Sequence, residues 1–140
     1  MSTNERFQIL AMICLCCSGS MFGSAALTEL VWGSDPVSSD YQKIWLTIAA
    51  GLGAVAAAFF VRASFGKPGD YGSIIACAGI VNATLLLGIV AGTLLLPVFG
   101  TIFGPWLLMA HTFEGHHAIL PWALSLYALH LARGGELRDF

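Results

Sequence analysis

Two histidines and one glutamate near the C-terminal end are the residues best suited to chemistry. His111, Glu114 and His117 follow one another at intervals of three residues. On one continuous helix they would share a polar face about 120° wide. Two imidazoles and one carboxylate can relay protons, bind a single metal ion or contact a polar partner. The pattern therefore makes these residues candidates for a functional site and leaves its chemistry open. The alternatives are a loop at headgroup depth and a structural pairing within the bundle.

The same residues argue against a dinuclear iron centre or a bis-histidine haem. A Glu-x-x-His pair is the spacing of di-iron carboxylate bundles, but those centres also need carboxylates from other helices. The other apolar segments offer only Glu29. A bis-histidine haem needs two facing helices, whereas all four histidines lie in the last 30 residues. The cofactor is therefore unknown, and one metal ion at His111, Glu114 and His117 stays an open alternative.

Charged residues are too scarce for a water-soluble surface. The 140-residue chain is 57% hydrophobic and 10% charged, whereas soluble domains average about 25% charged residues. Its six lysines and arginines are scattered, which excludes a basic surface for nucleic acid. The composition predicts an integral membrane protein embedded in a lipid bilayer, in the plasma or inner membrane or in an organelle membrane.

The distribution of charge predicts how often the chain crosses the bilayer. The 62 positions of 71–132 contain one Asp, Glu, Lys or Arg residue, Glu114. A helix needs about 20 apolar residues to cross, so this stretch has room for two spans. We expect one all-α domain over 1–140, built as a bundle of four transmembrane helices. Their expected bounds are about 7–31, 44–61, 71–96 and 105–132.

Two breaks compete for the boundary between the third and fourth spans. One runs from Pro97 to Pro105, and the other covers 111–117. Using both would leave two segments of about 14 residues, shorter than the ~17 that a crossing needs. We therefore expect only the first break, which places Glu114 inside a continuous fourth helix.

The positive charges predict an orientation. With four spans, Arg62, Lys67, Arg133 and Arg138 fall on one side. Lysine and arginine in short loops mark the cytoplasmic side, so we expect both termini inside. A cleaved signal peptide over 1–26 is the alternative, because 7–17 is an apolar core and small residues follow at 23–26.

Small residues predict close helix packing. Glycines four residues apart let helix backbones approach in lipid. The polar side chain of Asn82 lies near the middle of the third span. We expect Asn82 to hydrogen-bond across helices or to join the histidine–glutamate cluster. The glycine pairs are Gly19 with Gly23, Gly88 with Gly92, and Gly100 with Gly104.

The leading functional interpretation is a small membrane protein without catalytic activity. No nucleotide-binding loop, catalytic triad or complete set of metal ligands is evident in the sequence. We expect an accessory or structural subunit of a larger membrane complex, or a self-associating bundle. Its partner would be another membrane protein or a second copy, and no nucleic acid. The alternatives are a small transporter or proton conductor using Glu114 and nearby histidines, and a membrane metal-dependent oxidoreductase.

Overall fold

The described part of the chain is helical almost throughout. The computed structural model describes residues 3–32, 40–67, 69–114 and 117–134. A single 3₁₀ turn, Arg62–Ser64, follows the second helix, and the described residues contain no strand. The α-helices are α1 Thr3–Trp32, α2 Asp40–Val61, α3 Asp70–Leu95, α4 Phe99–Phe113 and α5 Ile119–Gly134.

Three of these helices are long and apolar enough to cross a membrane. The apolar stretches are Glu5–Thr28, Asp40–Ser64 and Asp70–Leu95. A helix satisfies its own backbone hydrogen bonds, which hydrocarbon cannot do. The all-α class and three helices of spanning length are thus confirmed. The fourth span and the orientation stay predictions.

The expectation of one continuous helix over 105–132 is wrong, because α4 ends at Phe113 and α5 begins at Ile119. Pro121 explains this break: its ring lacks an N–H and clashes with the carbonyl group four residues earlier, at position 117. The first break also occurs, since α3 ends at Leu95 and Leu96 is extended. Pro97 explains it by disfavouring helical geometry in the residue before it.

Several other expectations fall outside the described residues. They concern the greater part of the loop between the first two spans, positions 115–116 of the second break, and the tail that carries Arg138.

Each of the two short helices runs antiparallel to a long helix on which it packs: α4 to α3, and α5 to α1. Gly100 of α4 lies against Gly92 of α3, and Gly104 lies against Gly88. α5 runs antiparallel to α1. Trp122, near the start of α5, packs on Gly19 in the middle of α1, and the last turn of α5 reaches Arg62 at the end of α2. At 1.5 Å per residue, α4 extends about 22 Å and α3 about 39 Å. α4 therefore starts beside the end of α3 and stops partway along it.

A small buried polar set fixes α5 in the bundle. Trp122 is fully buried, and its indole N–H donates to the Thr84 hydroxyl of α3 at 3.0 Å. Ser18 of α1 donates to the Ser125 hydroxyl at 3.2 Å. Every buried side-chain nitrogen and oxygen in the described ranges has a hydrogen-bond partner. The short α5 is thus anchored to both α1 and α3.

Candidate functional site

The break after α4 separates the three residues that a continuous helix would have aligned. His111 is half-buried in the last turn of α4, with Nδ1 3.2 Å from the carbonyl oxygen of Leu107. Glu114 and His117 lie in the following turn and are exposed. In the residues that the structure describes, no three His, Cys, Asp or Glu side chains come together as a metal site. The shared helical face does not form.

The break between α4 and α5 lies at a level along α3 that affects the environment of the Glu114 carboxyl group. α4 begins near the C-terminal end of α3 and covers only about 22 Å of its 39 Å. Glu114 therefore lies beside α3 and does not extend past its first residue. If α3 crosses the bilayer, this carboxyl group lies at the level of the hydrocarbon, where the cost of a charge rises to about 2.5–3.5 kcal/mol at the bilayer centre.

Asn82 occupies a different exposed surface. It lies in the middle of α3, 12 residues after Asp70 and 13 before Leu95, or about 18–20 Å from each end. It lines a groove of about 430 Å³ whose other walls are apolar side chains of α2 and α3, including Phe60 and Leu86, together with Ser64 of the 3₁₀ turn. No hydrogen bond joins the Asn82 amide to the rest of the described chain.

Asn82 does not meet the histidine–glutamate cluster. All the residues that line its groove belong to α2, the 3₁₀ turn and α3. The amide is therefore a separate polar feature on the α2–α3 surface, at the middle of α3.

The α3 and α4 glycines meet each other. A Cβ atom added at Gly88 would lie 2.7 Å from the Pro105 Cα, and one at Gly92 would overlap the backbone carbonyl of Gly100. Both distances are shorter than real Cβ contacts, so larger side chains would separate the two helices. These contacts lie within one chain.

The glycines of α1 pack on alanines of α2. A Cβ atom at Gly23 would lie 2.8 Å from the Cβ of Ala50, and Gly19 faces both Ala54 and the Trp122 ring. α1 thus approaches two helices through small residues.

Two arginines that sequence reasoning did not select come together at one end of the bundle. Arg133 of α5 donates through Nη1 to the Arg62 carbonyl oxygen at 2.6 Å. The Arg62 guanidinium lies over the Phe59 ring, with Cζ 4.2 Å from the ring centroid. Because 71 positions separate the two arginines, no local spacing in the sequence could have paired them.

His130 was also missed as a structural residue. It is buried, and its Nδ1 accepts the backbone N–H of Gly66 at 3.0 Å. Gly66 has φ +87°, a conformation that glycine adopts readily. The turn residues 66–69 signalled a loop, but nothing in the sequence indicated which side chain would hold it.

No family model matches the chain, and neither a curated protein nor a solved structure does.

Proposed function

We propose that this protein is a small non-catalytic membrane bundle that acts by binding another transmembrane helix, in the simplest case a second copy of itself. The observation that carries the proposal is the exposed Asn82 amide at the middle of α3. An amide moved into an apolar environment without a hydrogen bond loses about 2–7 kcal/mol. A helix that offers a hydrogen-bonding group would remove much of that penalty.

The surroundings of Asn82 suit a helix partner. Mostly apolar walls from α2 and α3, with Ser64 at one edge, form the groove of about 430 Å³. Membrane helices associate through such packing together with hydrogen bonds. A primary amide both donates and accepts. Two Asn82 side chains related by a twofold axis could therefore satisfy each other, which favours self-association.

Sedimentation of the purified full chain in detergent, or cross-linking in vesicles, tests this proposal. One interhelical hydrogen bond contributes about 0.6–1.7 kcal/mol, so Asn82→Leu should weaken self-association about threefold to twentyfold. Asn82→Gln retains the amide and should associate more tightly than Asn82→Leu. Val81→Leu, at an exposed neighbour outside the groove, is the matched control. A wild-type chain that stays monomeric at high protein-to-detergent ratio would refute self-association.

A second candidate is proton or ion conduction, and the break between α4 and α5 favours it. Non-helical backbone at membrane depth is tolerated where protein covers it or where it lines water. Interrupted helices with polar ends also form substrate sites in many transporters. Glu114 and His117 are exposed at this break, so a pore would have to form where several copies bring these turns together.

Proton flux into liposomes, followed with a trapped pH-sensitive dye, tests the second candidate. Glu114→Gln should abolish the flux, because the amide cannot take up the proton. Asp70→Asn removes an exposed carboxylate at the start of α3 and should leave the flux unchanged. Wild-type liposomes that are no leakier than empty ones would exclude proton conduction under those conditions.

A further inference from the structure

Arg62 and Arg133 lie on a groove where α2 and α5 end. Its volume is about 400 Å³. Arg62 directly follows the uncharged stretch 44–61, so in a bilayer its charged group would lie at headgroup level. The other residues that line this groove are Gln8, Met12, Val55, Ala58, Phe59 and Leu129. The groove thus combines two cations at its rim with a largely apolar floor.

The contacts of the two arginines hold their side chains in place and leave most of their donors available. Arg133 uses Nη1 for the Arg62 carbonyl oxygen, while a guanidinium has five N–H donors. The Arg62 guanidinium is held over the Phe59 ring. Neither guanidinium forms an ion pair with a carboxylate of the described residues. Two positioned guanidiniums that meet no carboxylate of the described residues suit a phosphate group, which arginine binds through paired N–H donors.

An open, mostly apolar groove continues from this site along α1. A second groove, of about 730 Å³, shares Gln8, Met12 and Val55 with the first and extends to Cys16. From Gln8 to Cys16 the helix rises about 12 Å, a length that a large part of an acyl chain can cover. Glu5 also lines the second groove, and its carboxylate would repel an anion. An anionic group is therefore favoured in the first groove, which is lined by both arginines and by no acidic residue.

We infer that this composite groove binds one anionic phospholipid. The phosphate lies between Arg62 and Arg133, and an acyl chain follows α1 and α2 toward Cys16. Basic pockets between transmembrane helices at the membrane surface bind anionic headgroups, and the apolar extension selects a lipid over a free anion. The site lies on the α1–α2–α5 side and does not depend on association through Asn82.

Native mass spectrometry of the full chain in neutral detergent measures this binding directly. With phosphatidylglycerol we expect one lipid to be retained per chain, and with phosphatidylcholine of the same acyl composition much less. Each arginine near an anionic headgroup contributes about fivefold in affinity. Arg62→Gln and Arg133→Gln should each weaken phosphatidylglycerol binding by about that factor. Lys67→Gln removes an exposed cation from the same end but outside the groove and should bind like the wild type.

A separate variant tests the second groove, which would hold the acyl chain. Val55→Trp should fill the shared segment and weaken lipid binding without changing the charge, whereas Leu52→Trp alters an exposed α2 position outside both grooves and should not. If Arg133→Gln fails to fold, Arg62→Gln and Val55→Trp still carry the test. The inference is overturned if phosphatidylcholine is retained equally, if Lys67→Gln weakens binding as much as Arg62→Gln, or if inorganic phosphate displaces the lipid.

Discussion

At the scale of single residues, Trp122 is among the most consequential side chains. It is fully buried, contacts the Gly19 face of α1 and donates to Thr84 of α3. The sequence does not reveal this role, because hydropathy does not distinguish a buried aromatic residue from one at the membrane boundary.

Trp122→Phe should destabilise the bundle moderately, by about 0.5–1.5 kcal/mol for the lost hydrogen bond plus the loss of packing volume. The Thr84 hydroxyl keeps its bond to the Ile80 carbonyl, which limits the penalty. Trp122→Ala should lose about 3–5 kcal/mol. Reversible unfolding in mixed micelles with sodium dodecyl sulfate measures both. Trp106→Phe, at a position 74% exposed, is the control and should change stability little.

His130 should hold the Gly66 loop through its hydrogen bond, so an apolar side chain of similar size should not restore the loop. His130→Leu leaves the Gly66 N–H without an acceptor, a loss of about 1–3 kcal/mol if the group stays dry. His130→Asn places an oxygen near the position of Nδ1 and should recover part of that loss. Amide hydrogen exchange at Gly66 provides the local readout. Protection that is equal in the leucine variant and the wild type would contradict this role.

At the scale of elements, the lengths of uncharged runs were sufficient to predict α1, α2 and α3. The prediction of one continuous helix over 105–132 was wrong because hydropathy averages over a break. The apolar run continues through both breaks, while Pro121 acts on a single carbonyl group. The placement of Glu114 failed with it, since its expected face depended on an unbroken helix. Spacing identified glycines that approach other helices, but it could not tell that Gly92 meets Gly100.

The α3–α4 contact should be sensitive to a single methyl group. In an exposed helix Gly→Ala is favourable by about 1 kcal/mol, but at Gly92 the new Cβ would overlap the Gly100 backbone. We expect Gly92→Ala to destabilise by about 1–3 kcal/mol, as overpacked sites do. Ala78→Leu, on an exposed position of α3, should be close to neutral. Unchanged unfolding of the Gly92 variant would show that α4 moves away from α3 without penalty.

At the scale of the whole molecule, two hydrogen bonds join the segment after α2 to the last turns of α5. The Gly66 N–H bonds to His130, and Arg133 bonds to the Arg62 carbonyl. The C-terminal end of α5 is thus fixed beside the α2–α3 loop. This tie could not be predicted from the sequence, because it joins residues more than 60 positions apart.

A topology reporter fused after Phe140 should therefore read the same side of the membrane as one inserted in 62–70. The positive charges of both segments predict that this side is cytoplasmic. A reporter inserted in 34–40 should read the opposite side. Phosphatase and fluorescent-protein fusions give complementary signals for the two sides. Opposite readings for the tail and the 62–70 insertion would contradict the tie.

The glycine contact between α3 and α4 also bears on how the chain enters the bilayer during synthesis. α4 has 15 residues, fewer than the ~17 with which a helix spans on its own. We therefore expect α4 alone to partition poorly from the translocon into lipid. α3 emerges first, and only the three residues 96–98 separate it from α4. Folding back on the Gly88–Gly92 surface before release would deliver the two helices as one hairpin. α4 would then owe its membrane insertion to the helix synthesised just before it.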